Sequence, residues 1–243
     1  MKRFACAFIV TIGTLIGSQA TVLGQTTEIF ESFTPGATSF TSGSVPFTLT
    51  PSSGFSVAKW DGWGYLSSNQ YIDNLTSNSN PCQIKSTTVF TAKSLYLYPS
   101  IYTAGNFNQT TNVNVTFTGK LAGVTKFTYT PPATDFAAAD YLNPTNRGFS
   151  LVNFATPGYD NTAIDELDIT LGGATIYFAI DNFTWRTPAA TPTVTNISPS
   201  SGPAAGGTSV TITGTNFTGA TAVTFGAVNA ASYTVNSATN ITA

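Results

Sequence analysis

The stretch Val210-Thr-Ile-Thr-Gly-Thr-Asn-Phe217-Thr-Gly-Ala-Thr-Ala-Val223-Thr-Phe-Gly226 decides the architecture of the C-terminal part of this chain. Val210 and Ile212 alternate with threonines, which is the period of a half-buried strand. Val223 and Phe225 repeat the pattern after an Asn/Gly turn. Candidate strands therefore run over Val210–Thr213 and Ala222–Phe225. Upstream, Ile197-Ser-Pro199, Gly202-Pro203 and Gly206-Gly207-Thr208 punctuate a stretch of the same texture. No charged residue occurs from Thr187 to Ala243. Exposed helices are normally written in Glu, Lys and Arg, so the segment reads as β throughout.

These pieces, in this order, resemble the IPT/TIG domain, an immunoglobulin-like module repeated in many secreted and surface proteins. The resemblance implies an immunoglobulin-like β-sandwich over residues 193–243. Such a domain normally has further strands after the position of Ala243. The resemblance thus implies a C-terminally truncated domain, with more domains expected beyond Ala243.

The other end carries a targeting signal. Lys2 and Arg3 precede an apolar run from Phe4 to Ile16, and small residues follow, with cleavage sites after Ala20 or Gly24. That is the pattern of a secretory signal peptide over residues 1–24, and the apolar run is too short to span a bilayer. The expected location is secreted, extracellular or at the cell surface, with no membrane insertion once the signal is cleaved. Without Lys2 and Arg3 the net charge falls from -2 to -4, so there is no basic footprint for nucleic acid. Charged residues make up only 8% of the chain, which leaves Thr, Ser, Asn and Gly to cover the surface. The chain has no histidine, which removes Ser-His-Asp and Cys-His catalysis and His-ligated zinc. Cys6 leaves with the signal, and Cys82 alone can form neither an intrachain disulfide nor a Cys-rich zinc site. The reading is not an enzyme, and no cofactor is expected except a structural calcium ion.

Residues 25–186 read as a second all-β domain, joined to the first by a Pro/Thr/Ala linker at 187–192. Val113, Val115 and Phe117 share one strand face, with Asn112, Asn114 and Thr116 on the other. Leu95–Tyr98 is apolar on both faces, as suits a strand between two packed layers. Further strands are expected at Ser39–Phe40, Phe47–Thr50, Gln83–Phe90, Ser94–Tyr98, Thr125–Tyr129, Gly148–Asn153, Ile164–Leu171 and Thr175–Trp185. A short helical turn is expected over Phe136–Leu142. Turn residues recur every ten or so positions, as in a sandwich. The predicted fold is a jelly-roll-like β-sandwich followed by a partial immunoglobulin-like one.

This region also resembles a domain that recurs near the start of large bacterial surface proteins. The matching pieces are Phe30-Glu-Ser-Phe33, Tyr71-Ile-Asp-Asn74, Lys93-Ser-Leu-Tyr-Leu-Tyr98, Thr118-Gly-Lys-Leu-Ala-Gly-Val-Thr-Lys-Phe127, Ile164-Asp-Glu-Leu167 and Ala179-Ile-Asp-Asn-Phe-Thr-Trp185. The resemblance implies location and architecture, and no reaction. The closing run through Ile180-Asp-Asn182 also resembles jelly-roll carbohydrate-binding modules over a short length.

Two groups of residues can carry a ligand. Lys59-Trp-Asp-Gly-Trp-Gly-Tyr65 places Trp60, Trp63 and Tyr65 on a glycine-spaced loop. Such rings can stack on sugar faces while Asp61 and Asn69 bind hydroxyls; the same rings can equally close one end of the core. The second group is Glu166, Asp168 and Asp181. If Gly172-Gly173 turns a hairpin with even register, Leu167, Ile169 and Leu171 face Ile176, Phe178 and Ile180, and the three carboxylates share the opposite face. They would then need a cation, and calcium takes oxygen ligands; alternatively they form a solvated acidic face. A glycosidase pair made of the same acids lacks a cleft.

Two functions follow. The first is a non-enzymatic exported surface or adhesion protein, with the N-terminal sandwich for recognition and the IPT/TIG module as spacer. The alternative is a carbohydrate-binding module of a larger extracellular polysaccharide-processing protein. The expected partner in either case is a polysaccharide or a cell-surface glycan.

Overall fold

The structure, a computed structural model, describes residues 6–7, 10–11, 24–52, 54–59, 64–74, 81–103, 106–108, 113–136, 148–173 and 177–243. In chain order the strands are β1 (Cys6–Ala7), β2 (Val10–Thr11), β3 (Thr26–Glu28), β4 (Ser39–Ser42), β5 (Val45–Thr50), β6 (Ser56–Lys59), β7 (Gln70–Asp73), β8 (Cys82–Thr103), β9 (Asn106–Asn108), β10 (Val113–Leu121) and β11 (Val124–Tyr129). They continue with β12 (Ser150–Asn153), β13 (Ile164–Gly173), β14 (Tyr177–Arg186), β15 (Thr193–Ser198), β16 (Ser201–Gly202), β17 (Thr211–Thr215), β18 (Thr224–Phe225), β19 (Val228–Asn229), β20 (Thr234–Ser237) and β21 (Asn240–Thr242). The only helical elements among the described residues are two 3-10 turns, at Tyr65–Ser67 and Ala133–Phe136. The second ends at Phe136, where the sequence predicts a turn to begin; the rest of that expected turn, 137–142, lies outside the described residues. The chain is all-β, as its alternation predicts, and divides into Gly24–Pro188 and a unit of Met1–Leu23 with Ala189–Ala243.

The first unit is organised by β8. Its 22 residues run through both sheets. The first half pairs with β13 on one edge and β5 on the other, giving a sheet β11-β10-β13-β8-β5-β4. The second half pairs with β12 and β14, and β14 pairs in turn with β7 and β3. β6 adds to β7. Between the sheets lies an aromatic-rich core that includes Phe30, Phe47, Phe90, Phe117, Phe154, Phe178 and Phe183, all fully buried. Val115 and Phe117 point into it from β10 and Leu95 and Leu97 from β8. A buried side chain of this size contributes about 1.5–3 kcal/mol relative to exposure.

In the second unit, β15, β17, β21 and β20 form one antiparallel sheet and β18 pairs with β19. β1 pairs with β16, and β2 with β18. Val210, Ile212, Phe217, Val223 and Ile241 make its core. Val210 and Ile212 are buried while Thr211 and Thr213 are exposed, which is the alternation of the opening stretch. Among the described residues no helix is long and apolar enough to cross a membrane.

Candidate functional site

The pairings of β12, β8, β14, β7 and β6 give the second sheet two chemically different faces. Phe178 and Ile180 of β14 enter the core, so Tyr177, Ala179 and Asp181 take the outer face. The cross-strand partners then line up. Tyr96 lies opposite Asp181, Tyr98 opposite Ala179 and Ser100 opposite Tyr177. Asp73 lies opposite Ala179 from the other side, and Ala58 opposite Tyr71. Tyr71, Tyr98, Phe149, Tyr177 and Ala179 pack into a cluster of their own, with Ala58, Tyr65 and Tyr96 against it. Tyr177 Oη donates to Asp73 Oδ2 at 3.2 Å. Burial pushes the phenols of Tyr71 and Tyr177 well up, aided by the Asp73 charge, so both stay neutral donors.

Tyr65 sits at the rim of this face. Its ring stacks on Tyr96 with centroids 3.6 Å apart and planes 20° apart. Both rings are only partly buried. Burial, with a hydrogen bond between the two phenols, raises Tyr65 to about 12. The turn around it is tight. Gly64 N–H donates to Ser68 O at 3.0 Å, and Ser68 N–H to Tyr65 O at 3.1 Å. Leu66 has φ +52, a left-handed conformation that costs an L-residue about 1–2 kcal/mol. Its side chain is 61% exposed, so packing does not explain the conformation.

Asp181 closes the turn from below. It is fully buried. Its Oδ2 accepts the Tyr65 N–H at 3.0 Å and the Ser68 hydroxyl at 2.5 Å, and its Oδ1 accepts the Asn182 N–H at 2.8 Å. Asn182 is itself at φ +48, where the β14–β8 register shifts. Asparagine tolerates that conformation better than most residues. Gly64 is there for space. A Cβ on it would lie 1.9 Å from Ser68 Oγ and 2.8 Å from Asp181 Oδ2. Beyond the turn, Glu31 Oε1 accepts the N–H groups of Asn69 and Gln70, at 2.6 and 2.9 Å.

The expected carboxylate triad is not assembled. β13 pairs with β10 and β8, whereas β14 pairs with β8, β7 and β3, so the two consecutive strands lie in different sheets. Gly172 and Gly173 do not turn a hairpin. They extend β13 opposite Asn114 and Val113, and a Cβ on Gly172 would lie 3.2 Å from Asn114 Cγ. The physical reason is β8, which is long enough to supply a partner for each strand. Leu167 and Ile169 face the core from one sheet and Phe178 and Ile180 from the other. Glu166 and Asp168 therefore lie on the outside of one sheet, and Asp181 on the outside of the opposite one.

Glu166 and Asp168 do share a face, and lysines meet them where a metal was expected. Lys120 donates to Glu166 at 2.8 Å and pairs with Asp168, Lys85 pairs with Glu166 at 3.1 Å, and Gln83 Nε2 donates to both acids at 3.0 and 2.8 Å. Burial opposes ionisation of Glu166, but hydrogen bonds from Lys120 and Lys85 win and hold it at about 2. Asp168 is raised, first by burial and then by its neighbour Glu166. Two adjacent acids competing for one ammonium separate in this way. Among the described residues no group of three His, Cys, Asp or Glu is arranged to hold a metal ion.

Of the residues expected to bind a sugar, Tyr65, a stacking candidate, and Asn69, a hydroxyl-binding candidate, lie in and beside the Gly64–Ser68 turn. Trp60, Asp61 and Trp63 lie outside the described residues. Asn69 is exposed beside Glu31. Tyr96, Ser68, Gly64 and Glu31 are the site residues that sequence reasoning missed. Tyr96 had a signal, since it is an aromatic on the non-core parity of a strand apolar on both faces.

Comparison with known proteins supports the C-terminal reading. Residues 192–242 match the family model of the IPT/TIG domain. No curated protein matches the chain. Among solved structures the chain is similar to a carbohydrate-binding module, CBM32-1, from a family 31 glycoside hydrolase of Clostridium perfringens. The identity is 14% and the TM-score 0.32, over 58% of this chain and 94% of that one.

Proposed function

We propose that this chain is a non-enzymatic, exported recognition protein of the surface or adhesion type. The Gly24–Pro188 sandwich binds a glycan through its aromatic rim, and the IPT/TIG module serves as spacer. The observation that carries the reading is the Tyr65–Tyr96 stack, two partly exposed rings at the edge of a tyrosine-rich sheet face. Tyr65 follows Trp60 and Trp63 closely in sequence. Flat rings present π-faces and edges that suit the alternating apolar and hydroxyl surfaces of a sugar.

The test is pull-down of the full chain by insoluble cellulose, chitin and peptidoglycan. Trp60→Ala, Trp63→Ala and Tyr96→Ala should each lower retention at least about tenfold, the loss of a hot-spot contact, with the unfolding transition retained. Wild-type protein that ignores all three polymers and a glycan array would sink the reading. The carbohydrate-binding module of a larger polysaccharide-processing protein is the same site put to another use; a catalytic domain in the rest of the open reading frame would select it.

A further inference from the structure

Tyr65 and Tyr96 stand closer than two aromatic rings usually do. Such pairs settle edge-on or offset, with centroids about 4.5–7 Å apart. These two lie face to face at 3.6 Å, with planes 20° apart. Their phenols share a hydrogen bond, so the rings overlie head to head and the ring carbons beside each hydroxyl meet across the stack. The other tyrosine pairs in ring contact among the described residues are T-shaped or tilted, Tyr98–Tyr177 at 6.2 Å and Tyr129–Tyr159 at 6.5 Å. Both members of the close pair are held from outside the stack. Tyr65 donates its N–H to Asp181 Oδ2 and accepts the Ser68 N–H on its carbonyl. Tyr96 lies within β8, with Asp181 of β14 and Leu151 of β12 as its cross-strand partners. Both residues are only partly buried, so a small oxidant can reach them.

We propose that Tyr65 and Tyr96 are an oxidative cross-link site, where a peroxide activated by a haem group joins the two rings as an intramolecular dityrosine. Each phenol gives up one electron and one proton and becomes a phenoxyl radical. The unpaired electron is shared by the oxygen and the carbons ortho and para to it. The para carbon carries the side chain, so coupling takes place between ortho carbons, the atoms that the stack brings together. A Cε–Cε bond forms, the hydrogen on each of those carbons moves to its own oxygen, and both rings are phenols again. One peroxide takes up the two electrons and two protons and leaves as two waters. The new bond is shorter than the stacking distance, so the rings must tilt as it forms. Tyr65 sits on a short 3-10 turn, and rotation about its side-chain torsions supplies that tilt. The product ties the Gly64–Ser68 turn covalently to β8. No glycan is needed for the reaction, so it stands whether or not the rim binds one.

The test treats the full chain, at micromolar concentration, with hydrogen peroxide and a haem peptide small enough to reach a half-buried ring. Trypsin then releases Tyr65 in the peptide 60–85 and Tyr96 in the peptide 94–120. The monomer fraction should contain these two peptides joined, fluorescing as dityrosine, at a mass two hydrogens below their sum. Well-oriented partners reach effective molarities of about 10⁵ M and above, so this product should exceed chain-to-chain dimers at least about 100-fold. Tyr65→Phe and Tyr96→Phe each keep a ring in the stack but cannot form a phenoxyl radical, and each should abolish the joined peptide. They also assign the bond, because both peptides carry further tyrosines. Tyr129→Phe should leave the yield unchanged. In urea, where the fold no longer brings residue 65 to residue 96, the preference for this pair should vanish. The proposal is overturned by wild-type protein that yields no joined peptide, by dityrosine found only between chains, by a yield that survives in Tyr65→Phe or Tyr96→Phe, or by a folded chain no more selective than the chain in urea.

Discussion

Lys120→Met removes the ammonium shared by Glu166 and Asp168 and should destabilise the first unit by about 2 kcal/mol at neutral pH. The figure follows from the geometry. Opposite charges near contact are worth about 4 kcal/mol at an effective dielectric of 20. Breaking a fully buried pair costs about 3–5 kcal/mol. Here the Lys120 side chain is 25% exposed, so water screens part of the interaction, and Glu166 keeps Lys85 and Gln83. Asp168, only 6% exposed, loses its ammonium and keeps Gln83. Urea unfolding followed by tryptophan emission isolates the effect, because Trp60, Trp63 and Trp185 all lie in the first unit. The pH dependence gives the sign. Glu166 is depressed in the fold, so its contribution is complete above the ordinary carboxylate range and is lost as the pH falls through about 2. Asp168 is raised and takes its proton earlier, so the difference between wild type and variant should shrink steadily from neutral pH towards about pH 2. Calcium should not substitute for the lysine. A loss under about 0.5 kcal/mol, a difference that persists undiminished in acid, or full rescue by calcium would refute the reasoning.

Three further outcomes are expected. Gly214→Ala should cost the second unit at least about 2 kcal/mol by urea unfolding, since the new Cβ would lie 1.9 Å from Thr193 O and 2.4 Å from the Phe217 ring. Phe47→Ala should cost about 3–5 kcal/mol, because its ring is fully buried and packs on Phe40, Phe90, Phe183 and Trp185; the exposed Leu151→Ala should stay within about 0.5 kcal/mol. Cys82 should resist thiol reagents in native protein near pH 8, scored by peptide mapping, because burial pushes its thiol to about 12; it should react at once in urea.

The parts of the fold that local periodicity controls were legible. Val115 and Phe117, or Val210 and Ile212, are buried where alternation puts them. The continuity of Gln83–Phe90 with Ser94–Tyr98 was not, because polar Thr91 and Lys93 interrupt the apolar pattern between them. In the structure Thr91 donates to Arg186 O and Lys93 pairs with Asp160, so polar side chains pass through the middle of one continuous strand with their partners supplied. The Gly172-Gly173 hairpin failed for a related reason. Turn chemistry is local, but which strands pair depends on a partner far away in sequence. The site divides in the same manner. Tyr65 is visible as a ring on a glycine-spaced loop, whereas its contact with Asp181 spans 116 residues and leaves no short-range trace.

The first unit begins and ends on neighbouring strands. Thr26, Thr27 and Glu28 of β3 lie opposite Trp185, Thr184 and Phe183 of β14, antiparallel, so the chain enters at Thr26 and departs after Arg186 at one and the same edge. Pulling Thr26 away from Arg186 should therefore open the Thr26–Trp185 pair first, then Thr27–Thr184, then Glu28–Phe183, one pair at a time, instead of shearing all three together.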